Sequence, residues 1–140
     1  MNSTELQILK ATRTVAVVGL SSHEWRPSYE IAEYLLKQGF KVIPVNPREK
    51  AVLGQQAYPR LEDVPEPVDL VNIFRRPEHV PEIVESAIRI GAKAVWMQPG
   101  TENAAAVRRA KEAGLMVVAG PCIFVAHRSL RSELVHSRAK

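Results

Sequence analysis

Three arginines, Arg48, Arg75 and Arg76, follow directly on two short apolar runs of this chain, and the hydroxyls of Ser21, Ser22 and Ser28 follow on another. Guanidinium forks match phosphate oxygens two at a time, and serine amides and hydroxyls near a helix start meet the positive end of the helix dipole. The chemistry these residues share is the holding of a phosphate-rich anion. Catalytic chemistry has no comparable footing, because no Ser-His-Asp order and no pair of poised carboxylates emerges from the spacing. His23, His79, His127 and His136 are spread without metal-ligand spacing and read as surface residues. Cys122 is the only cysteine, which rules out an intrachain disulfide or a cysteine-based metal site. It reads as a small buried hydrophobe, the alternative being a thiol facing a ligand. No catalytic and no metal-ligating residue is assigned.

Such residues must be positioned by the elements before them. Thr14 to Gly19 reads as a buried first strand broken by a glycine that permits a tight turn. Ser28 to Gln38 reads as a helix with Ile31, Tyr34 and Leu35 facing inward and Gly39 closing it. Lys41 to Val45 is a second strand stopped by Asn46-Pro47, and a proline-containing connection over 48–67 carries a short extended piece and a helical turn at Leu61 to Val64. Leu70 to Phe74, Ala94 to Met97 and Leu115 to Ala119 read as further strands, with helices over Pro77 to Ile90 and Glu102 to Ala113 between them. Each helix closes on glycine and passes at once to an apolar strand. That pattern predicts an α/β fold: a single Rossmann-like, doubly wound domain over residues 1–140, with a mainly parallel five-stranded sheet and helices on both faces.

In such a sheet the ligand crevice lies at the carboxyl ends of the strands. Read off the sequence, those ends are Gly19-Leu20-Ser21-Ser22, Asn46-Pro47-Arg48, Phe74-Arg75-Arg76-Pro77, Gln98-Pro99-Gly100-Thr101 and Gly120-Pro121-Cys122. Phe74 caps the core or stacks on a base. Trp25, in a polar loop, reads as a lid or an oligomer contact, and Trp96 as core.

Composition narrows the classes. A chain of 140 residues is too short for a Rossmann domain and a separate catalytic domain together. No apolar run approaches the ~20 residues that cross a bilayer, and the first residues lack signal-peptide shape, so a cytoplasmic protein with no membrane partner is expected. The net charge of +4 suits an anionic small ligand and is too scattered for nucleic acid. The basic C-terminal segment over 124–140 reads as a helix, Ser129 to Ser137, docked on the sheet edge or on a second subunit, which leaves a homo-oligomer or protein partner open.

Among nucleotides, NAD calls for G-x-G-x-x-G and an acidic residue about 20 positions further on. Here the loop has one glycine, and Asn46-Pro47-Arg48 stands where the acid belongs. An arginine there suits a ribose carrying a phosphate, which leaves NADP or coenzyme A. A P-loop is absent.

The series V-A-V-V-G-L-S-S, R-P-S-Y-E-I-A-E-Y-L, V-I-P-V-N-P-R, F-R-R-P-E-H-V-P and V-W-M-Q-P-G covers nearly the whole chain. It resembles the small CoA-binding proteins whose fold is similar to the N-terminal domain of the succinyl-CoA synthetase alpha subunit. The resemblance implies coenzyme A as ligand, held by its nucleotide half, with Gly19, Leu20, Ser21, Arg26, Ser28, Asn46, Pro47, Arg48, Phe74, Arg75 and Gln98 around it. Ser22 and Arg76 join them from the strand ends. Relatives commonly read V-V-M-D-R-C where this chain has V-V-A-G-P-C, so no role is carried over for that segment. The expected function is that of a stand-alone module binding coenzyme A or an acyl-CoA. The alternatives are an NADP-dependent oxidoreductase and a regulatory subunit of an acyl-CoA-using complex.

Overall fold

The computed structural model describes the backbone of residues 3–138 and the side chains of 3–134. In chain order the elements are α1 (Thr4–Ala11), β1 (Thr14–Val18), α2 (Pro27–Lys37), β2 (Lys41–Val45), β3 (Ala51–Val52), β4 (Gln55–Gln56), β5 (Leu70–Ile73), α3 (Val80–Arg89), β6 (Ala94–Met97), α4 (Ala104–Glu112), β7 (Met116–Ala119), α5 (Ile123–Ser129) and α6 (Arg131–Arg138). The five long strands form one parallel sheet in the order β2-β1-β5-β6-β7. The chain adds β2 on one side of β1 and β5, β6 and β7 on the other, which places the topological switch point between β1 and β5.

Strand alternation divides the core in two. Ala16, Val18, Val71, Ile73, Val95 and Met97 point to the face covered by Val80, Ile83, Val84 and Ala87 of α3 and Ala106 and Ala110 of α4. Val15, Val17, Leu70, Ala94, Trp96 and Val118 point to the other face, against Leu6, Ile8 and Leu9 of α1, Ala32 and Leu35 of α2, Ile123 of α5 and Leu134 of α6. Burial on both faces is what makes the strands near-continuous apolar runs. β2 is an edge strand and so tolerates Pro44, whose carbonyl accepts the Tyr58 N–H at 3.0 Å. Among the described residues no helix is long and apolar enough to cross a membrane.

Four features depart from the sequence expectation. α1 is an additional helix, capped by the Ser3 hydroxyl on the Leu6 N–H and held by its buried Leu6, Ile8 and Leu9. The connection after β2 contains the β3/β4 hairpin, whose two-residue turn places both Leu53 and Gly54 at positive φ. The C-terminal stretch is two helices, interrupted at Leu130, that pack against α1, α2 and the sheet face and not its edge. His127 is buried, not a surface residue: its Nδ1 lies 2.7 Å from the Tyr34 hydroxyl, and its ring meets Tyr34 and Phe40 edge-on. Burial pushes the Tyr34 hydroxyl upward in pKa, against the downward pull of Arg131 and Arg128. His23 is exposed and His79 half-buried, while the side chains of His136, Arg138 and Lys140 lie outside the described residues.

At the amino ends of the strands Asp69 acts as a clamp. Its carboxylate accepts the N–H groups of Arg13 and Thr14, both at 3.0 Å, and its carbonyl accepts those of Lys93 and Ala94. Burial pushes its carboxyl upward, but the two N–H groups and Lys93 outweigh that and hold it below its ordinary value of 3.8. Replacing Asp69 by Ala is expected to cost about 2 kcal/mol at neutral pH, the worth of a charged hydrogen-bond acceptor. A lowered folded-state pKa contributes stability that is complete above the unfolded value and lost as pH falls through the folded one. Urea unfolding should therefore show a gap between wild type and Asp69→Ala at neutral pH that narrows in acid below 3.8.

Candidate functional site

The carboxyl ends of β2, β1 and β5 are knit together around Gly19. Its N–H donates to the Val45 carbonyl at 2.8 Å, while the Phe74 N–H donates to the Val18 carbonyl at 2.8 Å. Gly19 has φ +88°, and a Cβ there would run into the Phe74 carbonyl, standing 3.0 Å from its carbon and closer still to its oxygen. Only glycine serves both demands.

The loop after β1 is pinned from several sides. The Leu20 side chain is fully buried, and its carbonyl accepts the Asn46 Nδ2–H at 3.1 Å. Asn46 Oδ1 in turn accepts the Arg48 N–H at 2.9 Å, which shapes the turn after β2. Ser28, buried in the first turn of α2, accepts the Ser21 N–H at 3.1 Å. Ser21 Oγ accepts the His23 N–H, and Glu49 Oε2 accepts the Ser22 N–H at 2.9 Å.

These loops enclose a cavity of about 860 Å³, within the range of ligand pockets. Gly19, Ser21, Ser22, Arg26, Ser28, Asn46, Pro47, Arg48, Phe74, Arg75 and Arg76 all line it. Among the described residues, none of the four arginines forms a salt bridge. α2 points its N-terminus at the same space, and its N-cap residue, Arg26, supplies no side-chain cap. Guanidinium groups outside any salt bridge and the positive end of a helix suit the cavity to an anion. A second cavity of about 370 Å³ adjoins it through Pro47 and Arg75, floored by Val18, Val45, Leu61 and Ile83.

Residues 13–128 match the CoA binding domain family. The chain belongs to that family. It is 37% identical over 121 residues to the Bacillus subtilis (strain 168) protein YneT, covering 86% of this chain and 90% of YneT. A hypothetical protein from Pyrococcus horikoshii OT3 shares its structure with a TM-score of 0.89 at 38% identity, over 93% of each chain. The chain is also homologous to part of the ADP-forming acetate–CoA ligase II of Archaeoglobus fulgidus. There the identity is 33% over 91 residues, 64% of this chain and only 14% of the ligase.

Two residues expected at the site of this CoA binding domain do not line the cavity. Leu20 is an apolar anchor beneath the loop. Gln98 is buried at the end of β6, where its Oε1 accepts the Ile123 N–H at 3.0 Å and its Nε2 donates to Cys122 Sγ at 3.4 Å. It thereby satisfies the start of α5. Cys122 is half-buried and lies outside the cavity lining, and Trp96 Nε1 donates to the Pro121 carbonyl at 2.8 Å. Phe74 packs against the core and also lines the cavity.

Three lining residues were missed: His23, Pro27 and Glu49. The first two lie between Ser22 and Ser28, so adjacency was the available clue. Glu49 follows Arg48, and nothing in its residue type suggested a place among arginines. Trp25, 68% exposed, stands at the rim between His23, stacked at 5.3 Å, and the Arg26 guanidinium, 4.8 Å from its ring centre.

Gly19→Ala should be among the most damaging single changes. Left-handed strain alone costs about 1–2 kcal/mol, and the overlap with the Phe74 carbonyl forces β1 and β5 apart. A loss of stability beyond that strain is expected in chemical denaturation, and an unchanged unfolding midpoint would show that the close approach is not rigid.

Proposed function

We propose that this chain is a stand-alone module that binds coenzyme A itself, in the cavity at the ends of β2, β1 and β5. The observation that carries the reading is the convergence of Arg26, Arg48, Arg75 and Arg76 with the loop after β1 and the start of α2 on one cavity, in a chain of the CoA binding domain family. The diphosphate sits at Ser21, Ser22 and the N-terminus of α2. Arg48, where dinucleotide folds carry a ribose-binding acid, takes the ribose phosphate. The adenine occupies the adjoining apolar-floored cavity, with Arg75 between the two.

The role proposed is binding, with a soluble cytoplasmic setting and a protein partner that uses the bound ligand. The acetate–CoA ligase relative carries its matching segment within a much longer chain, which supports a partner for this one. NADP is the second reading, because Arg48 suits its 2′-phosphate by the same chemistry. Both readings disfavour NAD.

Calorimetry should find coenzyme A binding at least about tenfold more tightly than NAD, a difference of about 1.4 kcal/mol. Equal affinities would remove the cofactor assignment, and a preference for NADP over coenzyme A would favour the second reading. Dephospho-CoA should bind more weakly than coenzyme A, since charge-assisted bonds are about twice as strong as neutral ones. Arg48→Ala should shrink that difference, and an undiminished preference in the variant would place the 3′-phosphate at Arg75 or Arg76.

A further inference from the structure

In the loop after β1 the N–H groups of Ser21, Ser22 and His23 are engaged by side chains. Those of Ser21 and His23 meet the neutral hydroxyls of Ser28 and Ser21, at 3.1 Å each. The Ser22 N–H meets an anion instead, Glu49 Oε2 at 2.9 Å. Among the described residues Glu49 is the one carboxylate lining the cavity, set among arginines. Yet among the described residues it forms no salt bridge with any of them, and its partner is a backbone amide.

The backbone sets this placement. The Glu49 N–H donates to the Asn46 carbonyl at 3.2 Å, closing the turn after β2. Asn46 Nδ2 ties that turn to the Leu20 carbonyl, so the carboxylate is delivered to the Ser22 amide by the same turn that presents Arg48. A carboxylate oxygen on a loop amide is the contact a phosphate oxygen would make there, and two anions repel at one donor.

We propose that Glu49 is a built-in competitor for the phosphate seat, setting how strongly an anion must bind to enter. The inference rests on the reading of the cavity as a phosphate site. An incoming phosphate displaces the Glu49 carboxylate from the Ser22 N–H and pays its repulsion, so ligands able to engage several arginines at once are selected over small single anions. The carboxylate also keeps the loop amide satisfied while the cavity is empty.

The test is calorimetry of coenzyme A and of inorganic pyrophosphate with wild type, Glu49→Gln and Glu49→Ala. Gln keeps an oxygen for the Ser22 N–H, removes the charge and puts an NH2 group in place of the other oxygen. Glu49→Gln is expected to bind both ligands about tenfold more tightly than wild type, and the gain should shrink as salt is raised, because it is electrostatic. A purely structural Glu49 would give equal or weaker binding in Glu49→Gln, with a further loss in Glu49→Ala. Either result overturns the inference while leaving coenzyme A binding by wild type intact. Uptake of ligand by Glu49→Gln but not by wild type supports it. If neither ligand binds any of the three proteins, both the inference and the coenzyme A reading fall.

Discussion

The architecture of the site depends on the approach of two backbones at Gly19. β1 and β5 are neighbours in a parallel sheet, and their chains would ordinarily diverge into loops as soon as the ladder ends. Here the ladder continues past the strands through the Gly19 N–H to Val45 and the Phe74 N–H to Val18. With no Cβ at Gly19, the turn after β1 lies directly on the Phe74 carbonyl, and three loops start from one compact point. Most of what lines the cavity follows within a few residues of that point, and Arg26, Pro27 and Ser28 join it from the start of α2.

The two ends of the sheet treat charge in opposite ways. At the amino ends Asp69 has its carboxylate taken up by two amides and a lysine, and its backbone joins β1 to β6. At the carboxyl ends four arginines line one cavity without salt bridges among the described residues. Like charges gathered without partners destabilise a folded chain through self-repulsion. That cost is tolerable because the groups face solvent, and it falls when an anion arrives. One end of the sheet neutralises its charge, and the other leaves its guanidinium groups outside any salt bridge among the described residues.

How much of this was legible depends on whether the information is local. The strands of the main sheet and α2 show in the sequence because burial on two faces writes a continuous apolar run and α2, α3 and α4 each stop at a glycine in the left-handed region. α1 was missed because its apolar positions, Leu6, Ile8 and Leu9, acquire meaning only from the sheet face they cover. The site was legible as strand ends, since topology alone brings Gly19, Asn46 and Phe74 together. Leu20 and Gln98 also lie at strand ends, those of β1 and β6, but their side chains are buried, which strand-end position cannot decide. Glu49 was invisible for the opposite reason: its role comes from a turn geometry that joins residues 27 positions apart. The Asn72 amide, buried in β5 without a hydrogen-bond partner among the described residues, was likewise hidden within an apolar run.

The position of α5 limits the crevice. In an open parallel sheet a ligand has all the strand ends available, and the sequence has polar, glycine or proline residues at each of the five. The structure closes those of β6 and β7: Gln98 spends its amide on the Ile123 N–H and Cys122, and the Trp96 indole spends its N–H on the Pro121 carbonyl. These bonds fix the turn that starts α5, whose Ile123 is wholly buried against the sheet. Opening this part of the crevice would leave the buried Gln98 amide and the Trp96 N–H without partners, a penalty of about 1–3 kcal/mol for each group. The cavity is therefore confined to the side of the switch point where β2, β1 and β5 end, beside the arginines. A ligand longer than that space continues into the adjoining cavity at Pro47 and Arg75 or over the surface, and not along the ends of β6 and β7.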